Sequence, residues 1–300
     1  MGAQIPQRLS IVQDVAKRLY SWNSHISTLH QDEGNDKFTI CCISDTHNSK
    51  PSLPDGDVLL HAGDLSQYGT FDEIQAQIKW LDLQPHKHKI VIAGNHDLIL
   101  DQSFVNTHPY REIGKPGKTR QDLQWGSVIY LEDSSYTIRS DDGHRKLRVY
   151  GSPQTPKYGN FAFQYDPIKS IWNHRIPDDI DILLSHGPPA AHLDEGGKGC
   201  KSLLQEIWRV KPKLVVFGHI HGGRGHEVIP LNSFQAAYED ITVRNHSWVA
   251  LIKFIIIWAW QILTQLFVRP KHSHGMHLVN AAVMGRRDSS EKNDSIVIHL

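Results

Sequence analysis

Cysteine is nearly absent from the chain, with three in 300 residues: Cys41, Cys42 and Cys200. Adjacent Cys41 and Cys42 cannot pair easily within a strand, and no zinc-type cysteine spacing occurs, so neither a disulfide framework nor a thiolate metal site is expected. Net charge is absent as well, 32 basic residues balancing 32 acidic ones, which leaves no strong overall field to draw the chain to a nucleic-acid polymer or to an anionic membrane. The first residues lack the charged start, apolar core and cleavage site of a secretory signal. Gly2 begins a myristoylation pattern, but Pro6 stands where a Ser or Thr is required. A reducing, cytoplasmic setting is therefore the expectation, with peripheral membrane contact left open. No internal repeat and no long linker break the chain. Its hydrophobic content of 39% is enough for a real core.

What the chain has in excess is histidine, twenty in all. Histidine is the commonest metal ligand, yet most histidines are surface or capping residues, so the excess matters only where positions converge. Short apolar runs suited to buried strands occur at Phe38 to Ile43, Val58 to Leu60, Ile90 to Ala93, Ile180 to Leu184 and Leu214 to Phe217. Between the second and third, Ile74, Ile78 and Leu81 share one face of a helix over Phe71 to Leu83, as in a βαβ unit. A second β-rich part is expected from Val128 to Leu131, Tyr136 to Ile138, Leu147 to Tyr150, Leu278 to Val283 and Ile296 to Ile298. The expected architecture is α/β, two packed mixed sheets flanked by helices. A lead-in helix over 1–36 precedes a domain over 37–300, which carries an apolar helix insertion at about 247–268 and an exposed turn over Asp288 to Asp294.

Each of the five buried runs ends in groups able to bind a hard or borderline divalent cation. They are Ser44-Asp45-Thr46-His47, Gly63-Asp64, Gly94-Asn95-His96-Asp97, Ser185-His186-Gly187 and Gly218-His219-Ile220-His221. Taken singly each is weak, since a Gly-Asp in a turn is usually structural and a His-x-His is usually a solvated strand edge. In a sheet layered with helices, ligands sit beyond the carboxyl ends of the strands, so the separate segments can meet in one crevice. Two cations a few ångströms apart clamp the oxygens of an anionic phosphate ester, turn water into hydroxide near neutral pH and absorb developing charge. Such a pair needs a bridging carboxylate, and Asp64, alone on its loop, suits that role. Mixed imidazole and oxygen donors favour iron, manganese or zinc over calcium. His96 is placed to face substrate and donate a proton, with Asp97 to orient it. Arg224 is a candidate phosphate contact, whereas His61, His192 and His226 read as rim or supporting residues.

This ordered set, Asp-x-His, Gly-Asp, Gly-Asn-His-Asp, a later His and Gly-His-x-His, resembles the calcineurin-like metallophosphoesterase superfamily over roughly residues 38 to 225. Finer details resemble its branch of class III cyclic nucleotide phosphodiesterases and metallophosphoesterase-domain proteins. These details are His61-Ala62-Gly63-Asp64, Ser185-His186-Gly187-Pro188-Pro189, Gly199-Cys200 and Asn280-Ala281-Ala282-Val283. The resemblance implies one metal held by Asp45, His47, Asp64 and His221 and another by Asp64, Asn95, His186 and His219, with His96 as proton donor to the leaving group. It implies a small-molecule phosphate ester as substrate, cyclic nucleotides first. A phosphoprotein or phospholipid-headgroup phosphatase, or a scaffold without catalysis, are the other readings.

Trp248 to Val268 is about the length of a membrane span, but Lys253, Gln261 and Gln265 interrupt it. Both of its ends are expected to return to one domain, which a single crossing does not allow. The expectation is burial in protein, a peripheral membrane contact or a homodimer contact through residues 248–268.

Overall fold

The computed structural model describes residues 11–24, 37–111, 114, 117–243, 246–267, 275–285 and 292–300. Gly2, Pro6, most of the expected lead-in and the expected turn up to residue 291 lie outside the described residues. Two compact units form, one from residues 34–227 and 277–300, the other from residues 1–33 and 228–276.

The larger unit holds two sheets. The first runs β13 (Ile296–His299), β1 (Thr39–Ile43), β2 (Val58–His61), β3 (His88–Val91) and β4 (Val128–Tyr130). β1 to β4 are parallel and β13 pairs antiparallel to β1. The second runs β11 (Gly225–Ile229), β12 (Met276–Asn280), β10 (Leu214–Phe217), β9 (Ile182–Ser185), β6 (Lys146–Ser152) and β5 (Ser134–Arg139). β12, β10, β9 and β6 are parallel, and β5 folds back on β6 as an antiparallel hairpin. A small parallel pair, β7 (Thr155–Pro156) and β8 (Gln164–Tyr165), lies in the connection that follows β6.

Strand alternation decides how the sheets stack. Ile40, Cys42, Val58, Leu60 and Ile90 point to the face that packs on Val149, Ile182, Leu184, Leu214 and Val216 of the second sheet. Their neighbours Cys41, Ile43, Leu59 and Val91 point outward, where Phe71, Ile74, Ile78 and Leu81 of helix α2 (Phe71–Asp82) cover them. A strand covered on both faces has no polar side to show, which is why β1, β2, β9 and β10 read as mostly apolar runs, while β3 opens on His88 and Lys89 before Ile90 and Val91. Helix α3 (Gln102–Thr107) is a single short turn, and α4 (Lys201–Val210) buries Leu203, Leu204 and Ile207. The expected architecture of two packed mixed sheets flanked by helices is the one found. Two expected strands change sheet: β4 and β13 join the metal-loop strands of the first sheet instead of a separate β-rich part, β4 pairing parallel with β3 and β13 antiparallel with β1.

In the smaller unit, α1 (Ile11–Ser24), α5 (Ser233–Val243) and α6 (Trp248–Phe267) share a core of Val12, Ala16, Phe234, Ile241, Leu251 and Phe254. Tyr20 stacks on Tyr238 with ring centroids 3.9 Å apart. The apolar helix packs beside α5, where the buried Phe254 meets the rings of Phe234 and Tyr238. No helix among the described residues is long and apolar enough to cross a membrane.

Helix α2 begins at a capping box. Thr70 Oγ1 accepts from the Glu73 N–H at 3.3 Å, and Glu73 Oε2 accepts from the Thr70 N–H at 3.2 Å. The same Glu73 carboxylate takes Asn48 Nδ2 at 2.6 Å, so the cap also steadies the loop after β1. Thr70→Ala is expected to lower the unfolding free energy by about 1 kcal/mol in a urea titration with an unchanged slope, and an unchanged midpoint would show that water replaces the cap.

Candidate metal centre

Parallel pairing brings the carboxyl ends of β1, β2 and β3 to one edge of the first sheet, and those of β9 and β10 to one edge of the second. Beyond those ends the backbones continue to pair. Asp45 N–H donates to Gly63 O at 2.9 Å and His47 N–H to Asp64 O at 3.1 Å. Ser44 pairs with Ala282, joining the rims of the two sheets. This close pairing twists four of the expected ligand residues into the left-handed region, Asp45, His47, Asp64 and His219, with φ of 51°, 42°, 54° and 64°. Such a conformation in a non-glycine residue costs on the order of 1–3 kcal/mol and persists where surrounding structure holds it, characteristically at binding sites.

Two groups of donors result. Asp45, His47 and His221 form one and Asp64, His186 and His219 the other, the ligand atoms within each lying within 4.8 Å of one another. Asn95 joins the second group, its Oδ1 3.1 Å from His186 Nε2. Asp64 reaches both: its Oδ2 is 3.7 Å from His47 Nε2 and its Oδ1 3.4 Å from His186 Nε2. His221 Nε2 stands 3.3 Å from Asp45 Oδ1.

The imidazoles are held from behind. His47 Nδ1 lies 3.2 Å from Ser66 O, His186 Nδ1 2.8 Å from Ala62 O and His221 Nδ1 3.2 Å from Gly285 O. A carbonyl only accepts, so each Nδ1 carries its proton, which leaves Nε2 as the atom of each ring that faces the other donors. Oxygen and imidazole donors gathered in two triads of buried and half-buried residues fit divalent ions of the manganese, iron and zinc group.

Electrostatics point the same way. Burial alone would raise both carboxyl groups, yet His221 and His186 hold Asp45 below the ordinary range, and His186 holds Asp64 well below it. Burial likewise opposes charge on His186, but the adjoining Asp64 carboxylate lifts it to about 9. Burial and the neighbouring His186 press His219 down to about 4.

His96 supplies no side-chain donor to either triad, although its backbone N–H donates to Asp64 Oδ1 at 2.8 Å. Its Nδ1 donates to Gln67 O at 2.8 Å and its ring meets His47 edge-on at 4.8 Å. It lines a cavity of about 190 Å³ with Gln67, Tyr68, Leu98, Arg111 and Phe161. Asp97 does not orient it. The buried Asp97 carboxylate instead accepts from the Leu65, Ser66 and Gly94 N–H groups and from Ser66 Oγ, at 2.8–3.1 Å, and so ties the loop after β2 to the loop after β3. Sequence adjacency suggested a partnership with His96, but the turn at Gly94 to Asp97 sends the carboxylate inward. Burial and the Asp64 charge raise Asp97 to about 6.

Two supporting residues carry more than the sequence reading gave them. His61, fully buried and pressed down to about 3 by burial, accepts the Gly63 N–H at Nδ1 and therefore donates through Nε2 to Thr46 Oγ1 at 2.9 Å. Asn280 Nδ2 donates to Leu193 O and Ile220 O at 3.1 and 3.0 Å, fixing the loop that presents His219 and His221. Its place in the Asn280-Ala281-Ala282-Val283 run was the available signal. Arg224 donates to Asp294 O, His192 bonds Glu227 and His226 stacks on His277, so none of the three joins the two triads.

Glycine is required where the loops touch. A Cβ on Gly218 would lie 2.0 Å from Asp45 Oδ2 and 2.1 Å from Ser44 Oγ, and one on Gly94 would lie 2.2 Å from Asp64 Oδ1. Gly218→Ala is expected to lower metal content, measured by plasma mass spectrometry, while far-UV circular dichroism stays unchanged. Full metal content in this variant would remove Asp45 from the ligand set.

Comparison with known proteins agrees with this geometry. The model of the family described as calcineurin-like phosphoesterase matches residues 25–223, ending before the helical segment over 228–276. A UPF0046 protein of Caenorhabditis elegans is 36% identical over 205 residues, 63% of this chain and 70% of that one. Human metallophosphoesterase domain-containing protein 1 is 38% identical over 204 residues, 61% of this chain and 60% of that protein. An Emericella nidulans protein named probable rhamnogalacturonate lyase C is 42% identical over 293 residues, which is 97% of this chain but 27% of that one. This chain thus spans about a quarter of the lyase-named relative and three fifths of the human one. With the matched segment containing both donor triads and covering most of the chain, the protein belongs to the calcineurin-like phosphoesterase family.

Proposed function

We propose that the chain hydrolyses phosphate esters at a two-metal centre, with Asp45, His47, Asp64 and His221 holding one ion and Asp64, Asn95, His186 and His219 the other. The observation that carries this reading is the Asp64 carboxylate, whose two oxygens approach histidines of different triads. When bound, such a metal pair supplies Lewis acidity and lowers the pKa of water at the site. The donor set favours manganese, iron or zinc.

The chain's own residues do the rest. The loops after five strands hold the ligands rigid, the three backbone carbonyls fix their tautomers and Asp97 locks two of the loops together. His96, with Nδ1 committed to Gln67 O, presents Nε2 at the cavity and, when the ring is protonated, donates that proton to the departing oxygen. Arg111 on the same cavity wall offers a positive charge to an anionic substrate. A phosphodiester of small-molecule size, cyclic nucleotides included, is the proposed substrate, resting on the motif resemblance. A phosphoprotein or a phospholipid headgroup would meet the same centre under a different rim. The lyase name belongs to a protein most of which lies outside the match, and the proposal draws nothing from it.

A panel of phosphomonoesters and phosphodiesters, run on protein loaded separately with manganese, iron and zinc, tests the reading; no turnover with any metal would leave a binding scaffold. Asp64→Ala is expected to lose both ions and Asp45→Ala only one, as read by metal stoichiometry. Equal losses would show that Asp64 does not bridge. His96→Ala is expected to keep its metals and to slow esters with basic leaving groups by about 10²–10⁴-fold while slowing activated aryl esters far less. Equal slowing of both would make His96 a substrate-positioning residue and not the acid.

A further inference from the structure

Helix α6 has two unlike faces. Leu251 and Phe254 are buried against α1 and α5. Trp248, Val249, Ile252, Ile256, Trp260 and Leu263 are exposed, Val249 by 76% and Trp260 by 66%. At 3.6 residues per turn these six positions fall within a sector of about 120° that runs about 22 Å along the helix. Large side chains of this kind, gathered on one face, mark an interaction site and not ordinary surface.

We infer that this face of α6 docks onto an anionic lipid surface, lying in the plane of the interface. Three observations select lipid. Trp248 and Trp260 stand near the two ends of the stripe, and indole, apolar in body with one polar N–H, favours the headgroup boundary. The sequence from Ile241 to Gly285 has no Asp or Glu and four basic residues, Arg244, Lys253, Arg269 and Lys271, although the chain as a whole is neutral. Lys253 is exposed and adjoins the stripe on the helix surface, as in an interfacial helix that pairs with acidic headgroups. A second copy of the same face would instead bring up a second Lys253 with no carboxylate on α6 to answer it. The far side of the helix is already covered by protein, and no described helix qualifies as a span, so the helix lies on the bilayer and does not cross it.

The test is co-sedimentation of the full chain with phosphatidylcholine vesicles, with and without phosphatidylserine. The wild-type protein is expected to pellet with the phosphatidylserine vesicles and to be released by high salt. The double variant Ile252→Asp/Ile256→Asp is expected to stay in the supernatant with unchanged circular dichroism and metal content. Lys253→Glu is expected to weaken the preference for phosphatidylserine. Vesicle binding that is unaffected by these substitutions, or absent from the wild type, overturns the proposal. So does a wild-type dimer in sedimentation velocity that the double variant turns into monomer without any vesicle binding, because the occupant would then be a second copy.

Discussion

Asp45 and Asp64 are buried, and among the described residues their ion-pair partners are histidines, never Lys or Arg. A carboxylate removed from water costs several kcal/mol unless charge and hydrogen bonds replace its hydration, and here two of them share one crevice. The His219 N–H answers part of the demand at Asp45, 2.9 Å from Oδ2, and the His96 N–H answers part of it at Asp64, 2.8 Å from Oδ1. The imidazoles supply the remainder only when protonated, which is why His186 is driven up while its neighbour His219 is driven down. A pair of cations would satisfy both carboxylates and take the place of the proton that the His186 ring shares with Asp64. The site is therefore least well balanced as bare protein, and its polar design makes sense around positive ions.

The same demand explains where the fold accepts strain. Four ligand residues adopt left-handed backbone, each at a cost of about 1–3 kcal/mol, and two glycines sit where no Cβ fits. These costs fall at the rim, where the sheets meet through Ser44 and Ala282 and through the His186 bond to Ala62 O. Behind the rim lies the apolar interface between the sheets, whose residues are almost all fully buried. The packed interface resists the shear that would relax the loops, so core and site are two ends of the same strands.

This arrangement also decides what the sequence could reveal. A strand buried on both faces announces itself as an apolar run, and a ligand at its end is read simply as the next polar cluster, so all nine expected site residues had an address before any geometry was known. Orientation had none. Whether the carboxylate of Asp97 turns toward His96 or inward depends on the turn at Gly94, and only coordinates show it clamping Leu65, Ser66 and Gly94. His61 reads from the sequence as a rim or supporting residue, and only its burial decides for the second; burial is also the largest cause of its lowered pKa. Sheet membership was equally silent for β4 and β13: both carry a strand signal, but their pairing partners are far away in sequence. Strand β11 and helix α5 escaped notice because a five-residue edge strand and a helix of low amphipathicity leave little periodic pattern.

The helical segment makes a separate point about how the chain accommodates it. It leaves after β11 and returns at β12, and these two strands are neighbours in the second sheet. A connection between adjacent strands has its ends already close together, so its length scarcely affects the closure entropy, which grows only with the logarithm of loop length. Some fifty residues, 228–276, can be carried there without disturbing the order of β12, β10 and β9 that presents the ligands. Those residues then build a core of their own with α1, anchored on Phe254 and the stacked Tyr20 and Tyr238. α6 is apolar and acid-free in a unit that holds neither donor triad, so the cause of that character has to be sought in what the helix touches.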